Sequence, residues 1–180
     1  MGKIISFTGA SGSGKSTIAQ ALGFPFVRSS TTRPPRPSDN PGEYEYMEQE
    51  DFHHEEEAWN SFIWVTTYGK NYYGTKYEPV DRALASKENS VILLVPEVLP
   101  MLLSYVGREK VLPFYIRTPE EAILRSRLEK RGEAAENIEW RLKESKDGDA
   151  RAEKSNISYI FITNNGTIEE AVAQVRKYLM

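Results

Sequence analysis

Apolar positions along this chain switch between two periodicities, and the switching sets the expected architecture. Residues 4–8, 91–95 and 111–116 are short apolar runs of the kind that form strands buried on both faces. Shorter runs at 26–28 and 159–163 read the same way. Between them the spacing is helical. Residues 16–22 open one helix and 120–131 form another, while Ile168, Ala171, Val172, Val175 and Leu179 make the stripe of a closing helix over 168–179. Strands that alternate with helices predict a parallel sheet covered on both faces, a three-layer α/β core. From residue 29 the rhythm breaks. Pro34, Pro35, Pro37, Pro41 and Gly42 punctuate an extended segment, followed by an acidic helix near 51–60 and two aromatic strands at 62–67 and 71–75. This predicts a small α+β subdomain at about 29–79, inserted between core segments 1–28 and 80–180 of a single domain. Trp59 and Trp140, at helical spacing with apolar neighbours, are expected to be packing residues.

Composition removes several classes of function. With 180 residues the chain can bury a real core as one compact unit. A net charge of -3 makes neither nucleic acid nor an anionic membrane the expected partner. The absence of cysteine excludes disulfides, thiol catalysis and thiolate metal sites. No apolar stretch approaches a bilayer span and the first strand leaves no room for a signal peptide, so a cytoplasmic location is expected. His53 and His54, followed by three glutamates, invite a metal reading. Adjacent helical residues point about 100° apart, so a solvated acidic helix is the better account.

The strongest chemical signal lies between the first strand and the first helix. Gly9, Ala10, Ser11, Gly12, Ser13, Gly14, Lys15, Ser16 and Thr17 satisfy the phosphate-loop pattern G-x-x-x-x-G-K-[ST] in the strand–loop–helix context it requires. Glycines let successive N–H groups turn inward around phosphate oxygens, and the helix N-terminus adds partial positive charge. Lys15 is expected to reach the β- and γ-phosphates of a nucleoside triphosphate, and the Ser16 hydroxyl to sit on Mg²⁺. The core is therefore expected to be that of a phosphate-loop NTPase.

A second constellation indicates the kind of phosphate chemistry. Arg33 and Arg36 stand three residues apart on a proline-stiffened segment. Arginine suits phosphate because its planar fork matches the oxygens and keeps its charge. Tyr44 and the run 71–75 add phenolic and hydroxyl donors. A phosphotransferase acting on a phosphorylated small-molecule acceptor needs a second phosphate site, whereas a hydrolase does not. A solvated basic loop beside paired aromatic strands is the plainer alternative.

At these residues the chain resembles the guanylate kinase family, almost end to end. The family motif S-S-T-T-R-x-P-R is reproduced at 29–36 and N-Y-Y-G-[ST] at 71–75. The resemblance implies that Ser29, Arg33, Arg36, Tyr44 and Tyr73 hold the acceptor's phosphate and that the Thr75 hydroxyl touches its base. It implies a short helical lid at about 127–145 whose Arg127, Arg131 and Arg141 close on the transferring phosphate, with one residue fewer than usual between the last two. It places Asn164 beside the adenine of ATP. ATP as donor, Mg²⁺ as cofactor and a monomer or homodimer are implied as well.

Two departures bear on specificity. Where the family reads guanine with a glutamate in F-[IL]-E-W, this chain has Phe62, Ile63, Trp64 and Val65. Where its middle strand ends in two acids as L-D-x-D, this chain has Leu93, Leu94, Val95 and Pro96, with Glu97 one position late. An indole fills space or stacks, but it cannot accept hydrogen bonds from guanine N1–H and N2–H₂. The expectation is transfer to a nucleoside monophosphate, GMP or dGMP as the resemblance implies, with the two departures opening an altered base preference and leaving Ser16, waters and phosphates to hold the Mg²⁺. Ribose 1,5-bisphosphate phosphokinase, a similar sugar-phosphate kinase that also lacks those acids, is an alternative. So is a non-catalytic binding domain of the same fold, although such domains characteristically degrade the phosphate loop.

Overall fold

The computed structural model describes residues 2–37 and 39–179. Along the chain run β1 (Ile4–Gly9), α1 (Lys15–Leu22), β2 (Ser29–Thr31), β3 (Tyr44–Tyr46), α2 (Gln49–Glu57), β4 (Phe62–Tyr68), β5 (Asn71–Lys76) and α3 (Tyr77–Ala85). They are followed by β6 (Ser90–Leu93), α4 (Leu99–Val106), β7 (Val111–Ile116), α5 (Glu121–Lys130), α6 (Ala135–Glu153), β8 (Ile160–Ile162) and α7 (Ile168–Arg176). One sheet is parallel and ordered β6-β1-β7-β8; a second is mixed and ordered β3-β2-β5-β4. The chain divides into two compact units, one formed by the residues up to Ser6 with Phe24–Leu112, the other by Phe7–Gly23 with the residues from Pro113 onward.

In the first unit the mixed sheet spans the segment in which the proline-rich texture predicts an inserted α+β unit. Its α2 covers one face through Phe52, which is fully buried and stacks on Phe62 at 4.7 Å. Two helices that the sequence reading lacks, α3 and α4, each carry a proline, Pro79 and Pro100. Both prolines fall in the first turn, where no N–H is needed and the fixed φ favours the helix. Beyond Pro100, Leu99, Leu102, Leu103 and Val106 form the buried stripe of α4. The strand expected at 26–28 is reduced to a single bridge, Phe26 with Val91, and regular pairing begins at Ser29.

In the second unit α7 begins with a complete capping box. The Thr167 hydroxyl accepts from Glu170 N and the Glu170 carboxylate accepts from Thr167 N, at 3.2 and 3.0 Å. Ala171, Val172 and Val175 are its buried residues. Helices α5 and α6 pack through Leu124, Leu128, Ile138 and Leu142. They are laced at the surface by Arg125–Glu139 at 2.5 Å and Lys146–Glu121 at 2.9 Å.

The expectation that Trp59 and Trp140 pack inside is corrected, since they are 69% and 56% exposed. Trp59 lies beyond the end of α2. Trp140 sits between Ile138 and Leu142, which define the buried face of α6, and so projects away from it. No described helix is long and apolar enough to cross a membrane.

Candidate active site

The phosphate loop belongs wholly to the second unit. Two of its glycines are demanded by geometry. Gly9 has φ 128°, and a Cβ there would stand 2.3 Å from the Ile116 carbonyl oxygen. Gly14, at φ 97°, would place a Cβ 2.2 Å from Asn164 Nδ2. Only glycine adopts this backbone while passing so close to its neighbours. Lys15 opens α1 and folds back, its Nζ donating to Gly9 O at 2.8 Å and Ala10 O at 2.7 Å. Ser16 and Thr17 complete the first turn, whose N–H groups have no intrahelical acceptor and carry the positive end of the helix dipole.

Two residues from distant parts of the sequence clasp this loop. Asn164, just beyond β8 and 1% exposed, donates from Nδ2 to Ser13 O at 2.8 Å. Arg127, on α5, donates to Gly12 O at 3.3 Å and to Asn164 O at 3.0 Å. Burial, reinforced by the charge of Arg131, lowers the pKa of Arg127 below the ordinary arginine value. Ser13 Oγ and Asn164 Oδ1 are buried without a hydrogen-bond partner, which leaves polar atoms beside the loop for a ligand or water to satisfy. Of the other two arginines, Arg131 is exposed just past α5, and Arg141 on α6 is committed to Glu133 at 2.5 Å.

Among the described residues no group of three or more His, Asp or Glu side chains could hold a metal ion. Ser16 offers a single hard oxygen at the loop. Mg²⁺ keeps several waters and takes phosphate oxygens, so this sparse donor set fits an ion that arrives with a nucleotide.

Gly14→Ala is expected to lower stability by about 2 kcal/mol through the strained backbone. In a domain of this size that is a fall of about 4–8 °C in Tm, and ATP binding should weaken with it. Calorimetry and ATP titration check both. An unchanged Tm would mean that the loop tolerates a Cβ pressed against Asn164.

The second constellation lies on the mixed sheet of the first unit. Trp64 and Thr66 on β4 pair with Thr75 and Tyr73 on β5, and Tyr73 also pairs with Thr31 on β2. Ser29 and Thr31 pair with Tyr44 and Tyr46 on β3. Cross-strand partners share a face and residues alternate along a strand. Ser29, Tyr44, Trp64, Tyr73 and Thr75 therefore lie on one face. The other face carries Phe62, Tyr72 and Lys76 and faces α2, with Phe52 5.6 Å from Tyr72 and Glu55 3.0 Å from Lys76. Simple alternation would put Phe62 and Trp64 on the same side. A bulge between them shifts the register and turns Trp64 to the opposite face.

At the β3 side of this face sits Arg33, 6% exposed, its guanidinium 5.2 Å from the Tyr44 ring and 5.9 Å from the Tyr46 ring. It donates to Pro34 O at 2.7 Å and to Asp39 Oδ1 at 2.9 Å. Burial works against its charge, but the bond to Asp39 and that carboxylate's charge win, and its pKa is raised. Asp39 also accepts from Arg36 N at 2.7 Å and from the Tyr46 hydroxyl at 2.6 Å. Burial opposes ionisation of Asp39 too, but the bonds from Arg33, Tyr46 and Arg36 hold its carboxyl below the usual range. Burial and the bond to Asp39 push the Tyr46 phenol up to about 12. Tyr44, with Tyr73 edge-on at 6.5 Å, is raised by burial and by the neighbouring Glu43 charge. The side chain of Arg36 is exposed. Fixed positive charge beside neutral phenols is an anion-binding chemistry.

Asp39, Tyr46 and Glu43 were not among the residues expected from sequence. Asp39 carried no local signal: an Asx side chain bonds the N–H two residues on, whereas Asp39 accepts from Arg36 N, three residues earlier. Glu43, 6% exposed, accepts from Asn40 Nδ2 at 2.7 Å, and burial raises its pKa; nothing in its sequence context marks it as buried.

The remaining expected residues concern the base. The Thr75 hydroxyl is fully buried and bonded to the Ser29 hydroxyl at 2.9 Å. Trp64 is 6% exposed, and its Nε1 is buried without a partner. Leu94 is buried, and Glu97 lies exposed in a 3₁₀ turn over Pro96–Val98.

Comparison with known proteins points to one family. The family model described as guanylate kinase matches residues 1–180. The chain is 33% identical to a guanylate kinase of Symbiobacterium thermophilum, covering 99% of this chain and 85% of that protein. It is 30% identical to one of Porphyromonas gingivalis, covering 98% and 96%. A crystal structure of guanylate kinase from Anaplasma phagocytophilum shares the fold, with a TM-score of 0.70 at 21% identity over 99% of this chain and 84% of that one.

Proposed function

The chain belongs to the guanylate kinase family of ATP-dependent kinases, and from that premise we propose that it transfers the γ-phosphoryl group of ATP to the phosphate of a nucleoside monophosphate. A phosphate oxygen of the acceptor attacks the γ-phosphorus in line. The bond from that phosphorus to the β–γ bridging oxygen breaks, and ADP and a nucleoside diphosphate leave. No covalent enzyme intermediate is required. The observation that carries this reading is that a glycine-built phosphate loop, clasped by Arg127 and Asn164, occurs in a chain whose other unit holds a buried arginine among phenols.

Phosphoryl transfer asks a protein chiefly for positioning and charge neutralisation. Lys15 and the first-turn amides of α1 neutralise the donor. Arg127, Arg131 and Arg141 take the charge of the transferring group, for which Arg141 exchanges Glu133 for phosphate. Arg33, Arg36, Tyr44 and Tyr73 hold the acceptor's phosphate, while the Ser29 hydroxyl stays bonded to that of Thr75. Ser16 would hold a Mg²⁺ that arrives with the nucleotide, and the ion would supply further charge neutralisation at the phosphates. Transfer to the acceptor rather than to water requires that water be kept out while both substrates are bound.

No carboxylate stands at the two positions where guanine would need one, and a polar edge left unpaired on binding costs affinity. GMP is therefore not the favoured acceptor. ADP release measured over a panel of ribo- and deoxynucleoside monophosphates tests the reading. Release should depend on the acceptor, with kcat/KM for GMP no higher than for the others. Equal release without any acceptor would mark a hydrolase instead.

A further inference from the structure

The β4 end of the acceptor face is closed by the protein's own side chains. Trp64 stands opposite Thr75 and is 6% exposed, while Ser29 and Thr75 are 5% and 0% exposed. Their two hydroxyls satisfy each other at 2.9 Å. This end is where a base would come to lie. Thr75 is two residues along β5 from Tyr73, about 7 Å, and Trp64 is one strand further, about 5 Å across. A ribose and base lying along this face toward β4, from a phosphate held by Arg33, Tyr44 and Tyr73, would reach that end.

Resting on the phosphotransferase reading above, we infer that Trp64 seals the base end of this face, so that the enzyme selects its acceptor through the phosphate and discriminates little among bases. Reading a base requires polar atoms that are both unpaired and within reach. The hydroxyls of Ser29 and Thr75 are paired with each other and covered. The indole Nε1 has no partner but is itself buried. A buried donor without an acceptor is unfavourable, and here it is offset by burial of a large aromatic surface. Carboxylates do not compensate. Glu43 is engaged by Asn40 and by the Tyr44 phenol, Glu45 is drawn to the other face by Ser30 Oγ at 2.9 Å and Lys76 Nζ at 3.1 Å, and Glu97 is exposed. What a base meets at this end is the covering indole rather than a polar group, and contact with an aromatic ring is tolerant of base identity because every base has a π-face. The bulge between Phe62 and Trp64 is the device that makes this possible, since without it the indole would join Phe62 under α2.

The test compares kcat/KM for GMP, AMP, CMP and UMP, with ribose 5-phosphate as an acceptor that lacks a base. The wild type should spread over no more than about tenfold across the four nucleotides, since stacking alone separates them. Trp64→Phe, which keeps an apolar ring, should preserve that flat profile. Trp64→Glu should break it, raising GMP at least about tenfold relative to the other three, because a carboxylate then faces the base edge. A wild type that prefers one base by a hundredfold, or a hundredfold loss on ribose 5-phosphate, overturns the inference. So does a Trp64→Phe profile in which the bases separate, because the N–H would then have been reading them. Binding gives a second readout. Trp59 and Trp140 are exposed, so in a Trp59→Phe, Trp140→Phe background Trp64 is the sole tryptophan of three. Its fluorescence should respond alike to all four nucleotides with similar Kd values, and base-specific quenching would contradict the seal. Similar binding of all four with no turnover on any would refute the kinase reading while leaving the seal supported.

Discussion

Lys15→Ala is expected to lower kcat for acceptor-dependent ADP formation by on the order of 10³, the scale on which one preorganised group at a developing charge acts. The ammonium sits at the mouth of α1, held by Gly9 O and Ala10 O at 2.8 and 2.7 Å. Those contacts place a mobile point charge over the loop, and exchanging a carbonyl for a phosphate oxygen needs only side-chain rotation. The fold should survive, because Asn164 and Arg127 still hold the loop once the two Lys15 bonds are gone. Tm within about 2 °C of wild type, alongside the loss of turnover, separates a chemical effect from a structural one. Turnover near the wild-type rate in pure Lys15→Ala protein would remove the phosphate loop from the mechanism.

Arg33→Ala should raise the acceptor KM by the equivalent of about 2–4 kcal/mol and leave the KM for ATP nearly unchanged. Arg33 is buried between Tyr44 and Tyr46 and tied to Asp39. Its charge is aimed, and the same bonds that aim it also occupy part of its fork. Asp39 thus acts through Arg33 as a positioning residue. Arg33→Lys should rescue poorly, since an ammonium can neither stack on the two rings nor make a forked contact. Asp39→Asn should weaken acceptor binding less than Arg33→Ala does, because the guanidinium remains and only its orientation loosens. Steady-state kinetics with each substrate varied in turn measures all three variants. If ATP affinity fell as far as acceptor affinity in Arg33→Ala, Arg33 would belong to the donor site.

The parts of the fold legible in the sequence are those fixed by local chemistry. β1, the glycine loop and α1 follow from one motif, because the turn demands glycine where the chain passes Ile116 O and Asn164 Nδ2. The capping box of α7 is equally local. Elements whose signal is tertiary were harder to see. β3 is three residues long and exists only because Tyr44, Glu45 and Tyr46 find partners on β2. The prolines of α3 and α4 look like breakers until the helix start is known.

The acceptor face shows the same division. Tyr73 and Thr75 share a face by strand alternation, which the sequence displays. The side on which Trp64 lies depends on one extra residue in β4, and no local pattern announces a bulge. Arg33 is conspicuous as a cation in the sequence, yet its partner Asp39 becomes visible only once the loop folds back on itself.

The most direct measurement follows the label from [γ-³²P]ATP incubated with Mg²⁺, pure protein and an equimolar mixture of nucleoside monophosphates, with the products separated by chromatography. The account predicts label in the β-phosphate of more than one nucleoside diphosphate, with unlabelled ADP formed in an amount equal to the label transferred. Label recovered as inorganic phosphate, or retained in ATP at full occupancy of the phosphate loop, would contradict it.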